Sequence, residues 1–492
     1  MADTSRLQTF PSKPRVFVLT DISNEPDDAE SLVRYLLYSN QFQTEGLVAV
    51  SSTWMKNKVC PQDIHKILDA YAGAVDNLNK HTHPDYAYPS VDSLRNLVKS
   101  GPPVYGFAGV GADKPLTDGA QLLLERIKAP SEDPLWVLVW GGTNVLAQVL
   151  LTIRDQYSAE EATKLRAKLR VYTISDQDDT SAWIRTQFPD VFYISSIHGW
   201  NQYGLAAWTG ISGDKYYGFD NGGPDFSKVS KQWIKENIQI GPLGSAYPDF
   251  LFIPRATPQH FCTLFRMALV IANTPNASDA GQQGKHYSDM SDSVVGIDGK
   301  TYRSNQATIW RWRDTFQNDF AARMQWSLNP DLASTNHHPI VIVNGSRSLA
   351  PLHFEAEAGS TIELDASQTY DPDGDDLTFT WWQYREPSAT QWLVHFEVSN
   401  IGIEKLDTEG KKIKVTVPEP EKSCVDLISQ QPLAKGQLLH LILEVTDSGT
   451  PALTSYRRVL IQATNKDLRG GKLLKEGEEL NAIGDAMKDY TG

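Results

Sequence analysis

The chain has few cysteines, fewer basic than acidic residues, and no long apolar runs. Its 492 residues include only three cysteines, Cys60, Cys262 and Cys424, too few for a disulfide framework, which favours a reducing compartment. The formal net charge of −14 provides no basic field to replace counterions, so a nucleic-acid partner is not expected. No stretch of about 20 apolar residues is present, so we expect no membrane span.

The chain is long enough for more than one hydrophobic core. A hydrophobic content of 40% over this length predicts two or more domains. The first residues, Met-Ala-Asp-Thr-Ser-Arg-Leu-Gln, lack the apolar segment of a signal peptide. We therefore expect a cytoplasmic protein, and secretion stays open should the true N-terminus lie elsewhere.

Strand-like and helix-like segments alternate through the first two thirds of the chain. Almost wholly apolar runs, typical of buried strands, cover residues 16–19, 46–51, 135–140, 169–174 and 191–197. Helical patterns cover residues 29–38, 62–74, 119–127, 144–154 and 159–167. Strands that are apolar on both faces and separated by helices predict a mostly parallel sheet with helices on both faces, and ligands of such sheets bind at the carboxyl ends of the strands.

Polar clusters follow four successive predicted strands. The first is Thr-Asp-Ile-Ser-Asn-Glu-Pro-Asp-Asp from Thr20, with five carboxylate or amide side chains (Asp21, Asn24, Glu25, Asp27 and Asp28). It repels itself unless a hard cation or a cationic substrate neutralises it. The others are residues 51–54, 141–144 and 175–179. A solvated acidic turn that caps the next helix is the alternative for the first cluster. The joint placement of all four clusters favours a metal site.

The pattern changes after Asn336. Strand-like runs at residues 340–343, 361–364, 377–382, 412–417, 438–445 and 457–462 are separated by turns and predict an all-β immunoglobulin-like sandwich. The acidic segment 371–376 reads as a hairpin loop, with a calcium loop as the less favoured alternative. We predict an N-terminal tail (1–14), an α/β domain (15–335), the sandwich (336–464) and a C-terminal tail (465–492).

Four motifs together resemble a known family. They are the segment from Thr20 to Asp28, Trp-Gly-Gly-Thr-Asn at 140–144, Ser-Asp-Gln-Asp-Asp at 175–179 and Gln-Ala-Thr-Ile-Trp-Arg-Trp at 306–312. The chain resembles the nucleoside-hydrolase-like proteins labelled cellulose-binding, which carry a C-terminal immunoglobulin-like domain and look distantly similar to inosine-uridine nucleoside hydrolases. The resemblance implies a calcium ion that orients a ribose diol and an attacking water.

The resemblance also implies roles for residues of this chain. Asp27 and Asp28 match the paired aspartates of the hydrolase pattern, and Thr143 matches its carbonyl donor. The position of the hydrolase general base holds Ser23 here, which leaves Asp21 as the carboxylate for that role. The predicted metal ligands are Asp21, Asp27, Asp28 and Thr143, and the predicted catalytic residues are Asp21 and Asp176. The residues predicted to bind substrate are Asn24, Ser52, Asn144 and Asp178. Helix capping is an equal alternative for Asp178.

One segment departs from the resemblance. The family pattern implies Glu-Gly-Asp-Thr-Pro after residues 241–248, whereas this chain reads Ile-Pro-Arg-Ala-Thr-Pro from Ile253. The codons of residues 256–276, read one base out of register, are compatible with Gly-Asp-Thr-Pro and its continuation. We therefore predict a frameshifted stretch at about 254–276, with a divergent loop as the alternative. Such a frameshift would remove a metal carboxylate.

These features predict a calcium-dependent hydrolase of a glycosidic bond, either N-ribosyl or a related glycoside. The expected partner is a small glycoside, nucleoside or carbohydrate, and a homo-oligomer is possible. The first alternative is a carbohydrate-binding protein without catalysis, which the 13 tryptophans support. Trp381 and Trp382 are neighbours on a strand and must face opposite sides, so at most one is exposed. A further alternative is a scaffold that needs calcium only for folding.

Overall fold

The computed structural model describes residues 3–11, 13–195, 210–211, 226–249, 286–288, 294–295, 301–302, 306–388, 398–426 and 431–468. The predicted frameshifted segment 254–276 lies outside these residues, as does most of the predicted C-terminal tail. The chain divides into two compact units, and each is described by itself. The first comprises Met1–Ser291 and Ser304–Thr335, and the second comprises Asp292–Arg303 and Asn336–Gly492.

A seven-stranded sheet forms the centre of the first unit. Its strands are β1 (Arg15–Thr20), β2 (Gln43–Ala49), β3 (Val98–Ser100), β4 (Leu135–Val139), β5 (Leu169–Thr173), β6 (Phe192–Ser195) and β7 (His286–Ser288). All neighbouring strands pair in parallel, in the order β3-β2-β1-β4-β5-β6-β7. The strand order therefore reverses direction between β1 and β4, which makes this pair the topological switch point of the sheet.

Helices connect the strands of this sheet. They are Pro26–Leu37, Pro61–Ala72, Val75–Leu78, Val91–Asn96, Asp118–Lys128, Asn144–Gln156, Ala159–Ala167, Thr180–Gln187, Lys231–Asn237, Gly241–Gly244, Ala307–Trp310 and Arg313–Leu328. Proline starts Pro26–Leu37 and Pro61–Ala72, where its fixed φ fits the first turn and its missing N–H leaves no helical hydrogen bond unmade. None of the described helices is both long and apolar enough to cross a membrane.

The core of the first unit explains why its strands are apolar throughout. Every residue of β1, β4 and β5 is buried, because helices cover both faces of the sheet. One core cluster joins Val137 and Val139 of β4 to Val145 and Leu146 of the helix that follows it. The carboxyl ends of β1 and β4 are thereby held in a close-packed layer, so the loops after these strands start from fixed positions.

The second unit contains a two-sheet sandwich. The strands of this unit are β8 (Val294–Val295), β9 (Thr301–Tyr302), β10 (Leu352–Glu357), β11 (Thr361–Asp365), β12 (Leu377–Gln383), β13 (Gly402–Lys405), β14 (Lys412–Thr416), β15 (Lys435–Asp447) and β16 (Thr454–Thr464), and it includes the short helix Pro420–Ser423. One sheet has the order β10-β16-β15-β12 and the other β11-β14-β13. The pairs are antiparallel except β10 with β16, so the larger sheet is mixed.

The predicted fold class is confirmed, an α/β unit with a parallel sheet followed by a β-sandwich. The prediction of a strand at residues 340–343 was wrong, since Ile340 and Val343 make only isolated bridges there. The sequence analysis missed β3 and β7, which have three residues each, and β13, whose four residues are all exposed and show no apolar face. It also missed β8, β9 and β10. The predicted alternation of two tryptophans agrees with the structure, because Trp381 is buried in the core and Trp382 is half-buried.

Candidate functional site

The candidate site lies where β1 and β4 end. Asp21 is the first residue after β1, and the turn of residues 141–143 follows β4 within two residues. The backbone stays paired past the strands, since Trp140 N–H donates to Leu19 O at 2.7 Å and Val50 N–H donates to Thr20 O at 2.8 Å. The two loops therefore start side by side at the switch point, the position at which parallel sheets bind ligands.

Two buried carboxylates form the centre of this site. Asp21 and Asp28, called here the carboxylate pair, are each 4% exposed and lie within hydrogen-bond reach of each other. Burial raises the pKa of Asp21. Burial, followed by the charges of Asp21 and Asp27, raises the pKa of Asp28 well above its ordinary value. Thr20 Oγ1 donates a short hydrogen bond to Asp28. In the described part of the chain, Asp21 Oδ2 is buried and accepts no hydrogen bond.

The turn after β4 requires glycine because it packs directly against the carboxylate pair. A Cβ atom added to Gly141 would lie 2.8 Å from the Asp21 Cβ and 2.9 Å from its backbone nitrogen. A Cβ at Gly142 would lie 2.5 Å from Asp178 Oδ2 and 2.5 Å from Ser51 O. These separations are shorter than real Cβ contacts, so the Gly-Gly sequence allows the two loops to approach each other.

Asp178 joins the loop after β5 to the turn after β4. Its carboxylate accepts hydrogen bonds from Thr143 N–H at 2.8 Å, Thr143 Oγ1 at 3.0 Å and Asn144 N–H at 3.0 Å. It also accepts from Thr180 N–H at 2.9 Å and Thr180 Oγ1 at 2.6 Å. Asp178 is 5% exposed. Five hydrogen bonds occupy both its oxygens, which is the environment of a structural carboxylate, and its role toward substrate stays a prediction.

Two other predicted substrate residues lie beside the pair. The Ser52 hydroxyl limits the rise of the Asp21 pKa and accepts hydrogen bonds from the N–H groups of Trp54 and Met55, each at 3.1 Å. The Asn144 amide nitrogen donates to Ser51 Oγ at 3.0 Å. Among the described residues, no donor reaches the buried Asn144 Oδ1. Ser52 and Asn144 thus hold the surrounding loops, and Asn144 retains an acceptor.

Asp176 and Asn24 have different surroundings. Arg185 binds Asp176 in a bidentate ion pair, with both N–O distances at 2.6 Å, and the Asp176 side chain is 35% exposed. Asn24 lines a cleft of about 500 Å³ between residues 22–26, the helix Pro61–Ala72 and two residues near position 247. The structure thus groups Asp21, Asp28, Ser52 and the Thr143–Asn144 turn, with Asn24 on the adjoining cleft.

The pair has part of the ligand set that the resemblance implies for a cation. Asp21 Oδ2 is a buried acceptor without a described donor, and a divalent cation would coordinate it. The charge of the cation would also offset the mutual repulsion of the two carboxylates. The carboxylates of Asp21, Asp27 and Asp28 do not all lie within 4.8 Å of one another. Within the described ranges, only the carboxylates of Asp371, Asp373 and Asp375 are grouped as closely as that. Asp27 therefore acts on the pair here through its charge.

The acidic loop of the sandwich closes on itself. Asp371 Oδ1 accepts from the N–H groups of Asp373, Gly374 and Asp375 at 2.8, 3.0 and 3.2 Å. Asp373 accepts from His337 N–H at 2.7 Å. Burial is the largest cause that raises the pKa of Asp371 to about 6. These backbone hydrogen bonds form a closed loop before β12. The prediction of a hairpin was wrong, because β11 and β12 belong to different sheets.

Glu30 was missed by sequence reasoning. It is 1% exposed, and burial together with the charge of Asp27 raises its pKa to about 8. Its position one helical turn after Asp27 places both carboxylates on the same side of the helix Pro26–Leu37. The sequence offered no clear signal, because the buried residues of this helix also include Asp28, Ser31 and Arg34.

Comparisons with known proteins agree with this architecture. Residues 15–285 match the family described as cellulose-binding Sde182, nucleoside hydrolase-like domain, and residues 361–463 match the C-terminal domain of cellulose-binding protein Sde0182. A solved structure of a nucleoside hydrolase-related hypothetical protein from Saccharophagus degradans, associated with carbohydrate metabolism, is 26% identical. It superposes with a TM-score of 0.71 and covers 92% of this chain and 100% of its own.

The other comparisons add little. Protocadherin gamma C5 and mouse protocadherin gamma C3 fragments each cover 23% of this chain and 31% of their own, at 18% and 15% identity, with TM-scores of 0.14 and 0.13. No curated protein matches. The parallel sheet, the motifs at its switch point and the match over residues 15–285 show that this chain belongs to the cellulose-binding Sde182 family with a nucleoside hydrolase-like domain.

Proposed function

We propose that this protein is a calcium-dependent hydrolase that cleaves a glycosidic bond in an N-ribosyl compound or a related glycoside. The observation that carries the proposal is the carboxylate pair, buried at the switch point with one oxygen that no described group hydrogen-bonds. A protein gains no stability from two adjacent buried carboxylates unless a ligand neutralises them. The family name and the association of the S. degradans protein with carbohydrate metabolism support a carbohydrate ligand.

In this proposal Asp21 and Asp28 hold the cation, which when bound would supply positive charge to orient sugar hydroxyls and polarise a water. Asp21 also acts as the base, because it is a carboxylate at the cation site that can accept a proton from the polarised water. Asn144 Oδ1 is an acceptor suited to a sugar hydroxyl. Asp176, which pairs with Arg185, would stabilise positive charge that develops on the sugar ring.

Calcium titration calorimetry combined with a glycoside screen tests the proposal. The wild-type chain should bind calcium and release sugar from ribonucleosides or aryl glycosides, whereas Asp21→Asn should lose both properties. Asp113→Asn removes the same charge from a side chain that is 80% exposed and should change neither. A variant with the frame-restored sequence at residues 254–276 should bind calcium more tightly if that segment supplies a further carboxylate. Absence of calcium binding and of turnover in both the wild-type chain and this variant would refute the proposal.

A non-catalytic carbohydrate-binding protein is the second candidate. The family description as cellulose-binding favours it. It is also favoured by the five internal hydrogen bonds that the Asp178 carboxylate accepts, because they leave one acidic group fewer as a candidate for catalysis. Retention of an oligosaccharide without release of sugar, with or without calcium, would establish this alternative.

A further inference from the structure

Exposed aromatic residues cluster on one side of the candidate site. Seven large hydrophobic side chains are exposed in the described part of the chain, and three of them, Trp54, Val104 and Phe107, lie on the loops after β2 and β3. Trp54 is 55% exposed and Phe107 is 39% exposed. The half-buried Tyr105 connects the two loops, since its OH lies 3.3 Å from Thr53 Oγ1. We call Trp54, Tyr105 and Phe107 the aromatic rim.

The structure holds the backbone of Trp54 in a hydrogen-bonded turn and leaves its ring exposed. Its N–H donates to Ser52 Oγ at 3.1 Å, and the N–H of the preceding Thr53 donates to Gln177 O at 2.6 Å. Ser52 and Met55 exchange two backbone hydrogen bonds, at 3.1 and 3.2 Å. A ligand that binds an aromatic side chain on such a turn does not also have to order the loop that carries it, which lowers the entropic cost of binding.

The other two rim residues are held by the same loops. Tyr105 OH lies 3.3 Å from Thr53 Oγ1, and Lys56 Nζ lies 5.0 Å from the centre of the Tyr105 ring. The Phe107 N–H donates to Asp179 Oδ1 at 2.9 Å, and its ring meets Trp183 edge to face at 5.5 Å. The rim is thus a built surface with polar groups at its edge.

The rim adjoins the carboxylate pair. Trp54 binds Ser52 Oγ, and this hydroxyl also acts on Asp21. Ser51 Oγ donates to Val104 O at 2.8 Å, which connects the loop after β2 to the loop after β3. Neighbouring strands lie about 4.8 Å apart, close to the length of one hexose residue, so loops that follow adjacent strands can contact consecutive sugars.

We propose that the aromatic rim binds the sugar rings of an oligosaccharide beyond the bond at the carboxylate pair, so that the natural ligand is a glycan chain rather than a free nucleoside. This inference rests on the proposed function. A pyranose offers an apolar C–H face to an aromatic ring and hydroxyls to groups at its edge, such as Lys56 and Thr53. An open, exposed rim also fits a ligand that extends out of the site, whereas a nucleoside needs only a closed pocket.

The test measures binding of cello-oligosaccharides of two to six residues by calorimetry in EDTA, so that it does not depend on calcium or turnover. The wild-type affinity should rise with chain length. Trp54→Ala and Phe107→Ala should each weaken binding of the longest oligosaccharide by about five- to ten-fold and flatten the length dependence, which is the scale of one aromatic contact. Trp54→Phe should recover most of the affinity. Leu328→Ala, which removes another exposed apolar side chain (42% exposed) of the same unit, should have no effect.

Three results would overturn the inference. One is an absence of oligosaccharide binding by the wild-type chain. The second is equal binding by Trp54→Ala and Leu328→Ala. If the protein nevertheless hydrolyses glycosides with calcium, the proposed function is retained and the role of the aromatic rim is refuted. A rim substitution that weakens the binding of inosine or uridine but not of oligosaccharides would likewise replace the glycan by a nucleoside. Circular dichroism and the unfolding temperature of each variant confirm its fold.

Discussion

Replacing Asp28 with asparagine should have opposite effects on stability and on calcium binding. The asparagine side chain has the shape of the aspartate, and its carbonyl can still accept the Thr20 hydroxyl while its amide donates to Asp21. The substitution therefore keeps the packing and removes one buried charge. Without calcium, Asp28→Asn should be more stable than wild type at neutral pH, and with calcium it should show no added stability.

The magnitude follows from the charges. Two unit charges about 4 Å apart repel by about 4 kcal/mol at an effective dielectric constant of about 20. The wild-type pair avoids part of this cost by holding a proton, so the expected gain is about 1–3 kcal/mol. The raised pKa of Asp28 means that the folded state holds more protons than the unfolded state above the ordinary carboxyl range. Wild-type stability should therefore fall as pH rises from about 4 toward neutrality, and this slope should be smaller in Asp28→Asn.

Urea unfolding at pH 7.5, followed by tryptophan fluorescence in EDTA and in calcium, measures both effects. Calcium at about 100 times its dissociation constant should stabilise the wild type by about 2.7 kcal/mol and leave Asp28→Asn unchanged. Asp113→Asn, with the same charge change at the surface, should match the wild type in both buffers. A loss of stability in EDTA for Asp28→Asn, or a calcium response equal to that of the wild type, would refute the assignment of a repulsive metal-binding pair.

Further substitutions test the loops around the pair. Asp178→Asn should lower the free energy of unfolding by about 2–4 kcal/mol, which urea unfolding measures. The asparagine NH₂ group would face N–H and O–H donors that hydrogen-bond to the carboxylate in the wild type, so those hydrogen bonds would be lost. Gly141→Ala should weaken calcium binding in calorimetry by displacing Asp21, whereas Gly402→Ala, where the nearest atom would be 3.1 Å away, should not. Calcium affinity should keep rising above pH 5, where ordinary carboxyl groups have finished titrating, because both carboxylates of the pair have raised pKa values. Calorimetry at pH 5, 6 and 7 measures this rise. A flat profile would show that the pair does not bind the ion.

The order of elements was predictable because burial on both faces leaves a strong apolar signal. The runs that predicted β1, β4 and β5 lie inside the sheet, and the polar residues that follow them lie at the switch point. The polar clusters at the strand ends predicted that the loops after β1 and β4 meet, and the family resemblance implied Asp21, Asp27, Asp28 and Thr143 as one ligand set. Neither source could show that the carboxylates of Asp21, Asp27 and Asp28 do not all lie within 4.8 Å of one another, since that depends on the angle between the loop and the helix it enters.

Side-chain partners were the part that the pattern could not supply. Asp176 and Asp178 have the same residue type and lie two positions apart, yet one pairs with Arg185 at a half-exposed site and the other is surrounded by donors. Both outcomes depend on contacts with residues elsewhere in the sequence. Glu30 illustrates the same limit, because a charged residue near a helix start reads as solvated until packing shows that it is buried.

The hydrogen bonds of Asp178 make assembly of the site separately observable. The amide protons of Thr143 and Asn144 are bonded to a carboxylate about 35 positions further along the chain. These protons become protected only when the loop after β5 has docked on the turn after β4. Their hydrogen-exchange rates therefore report whether the two loops are joined, while the amides of β4 report whether the sheet itself is intact. A ligand that tightens the site should slow the first set of protons more than the second.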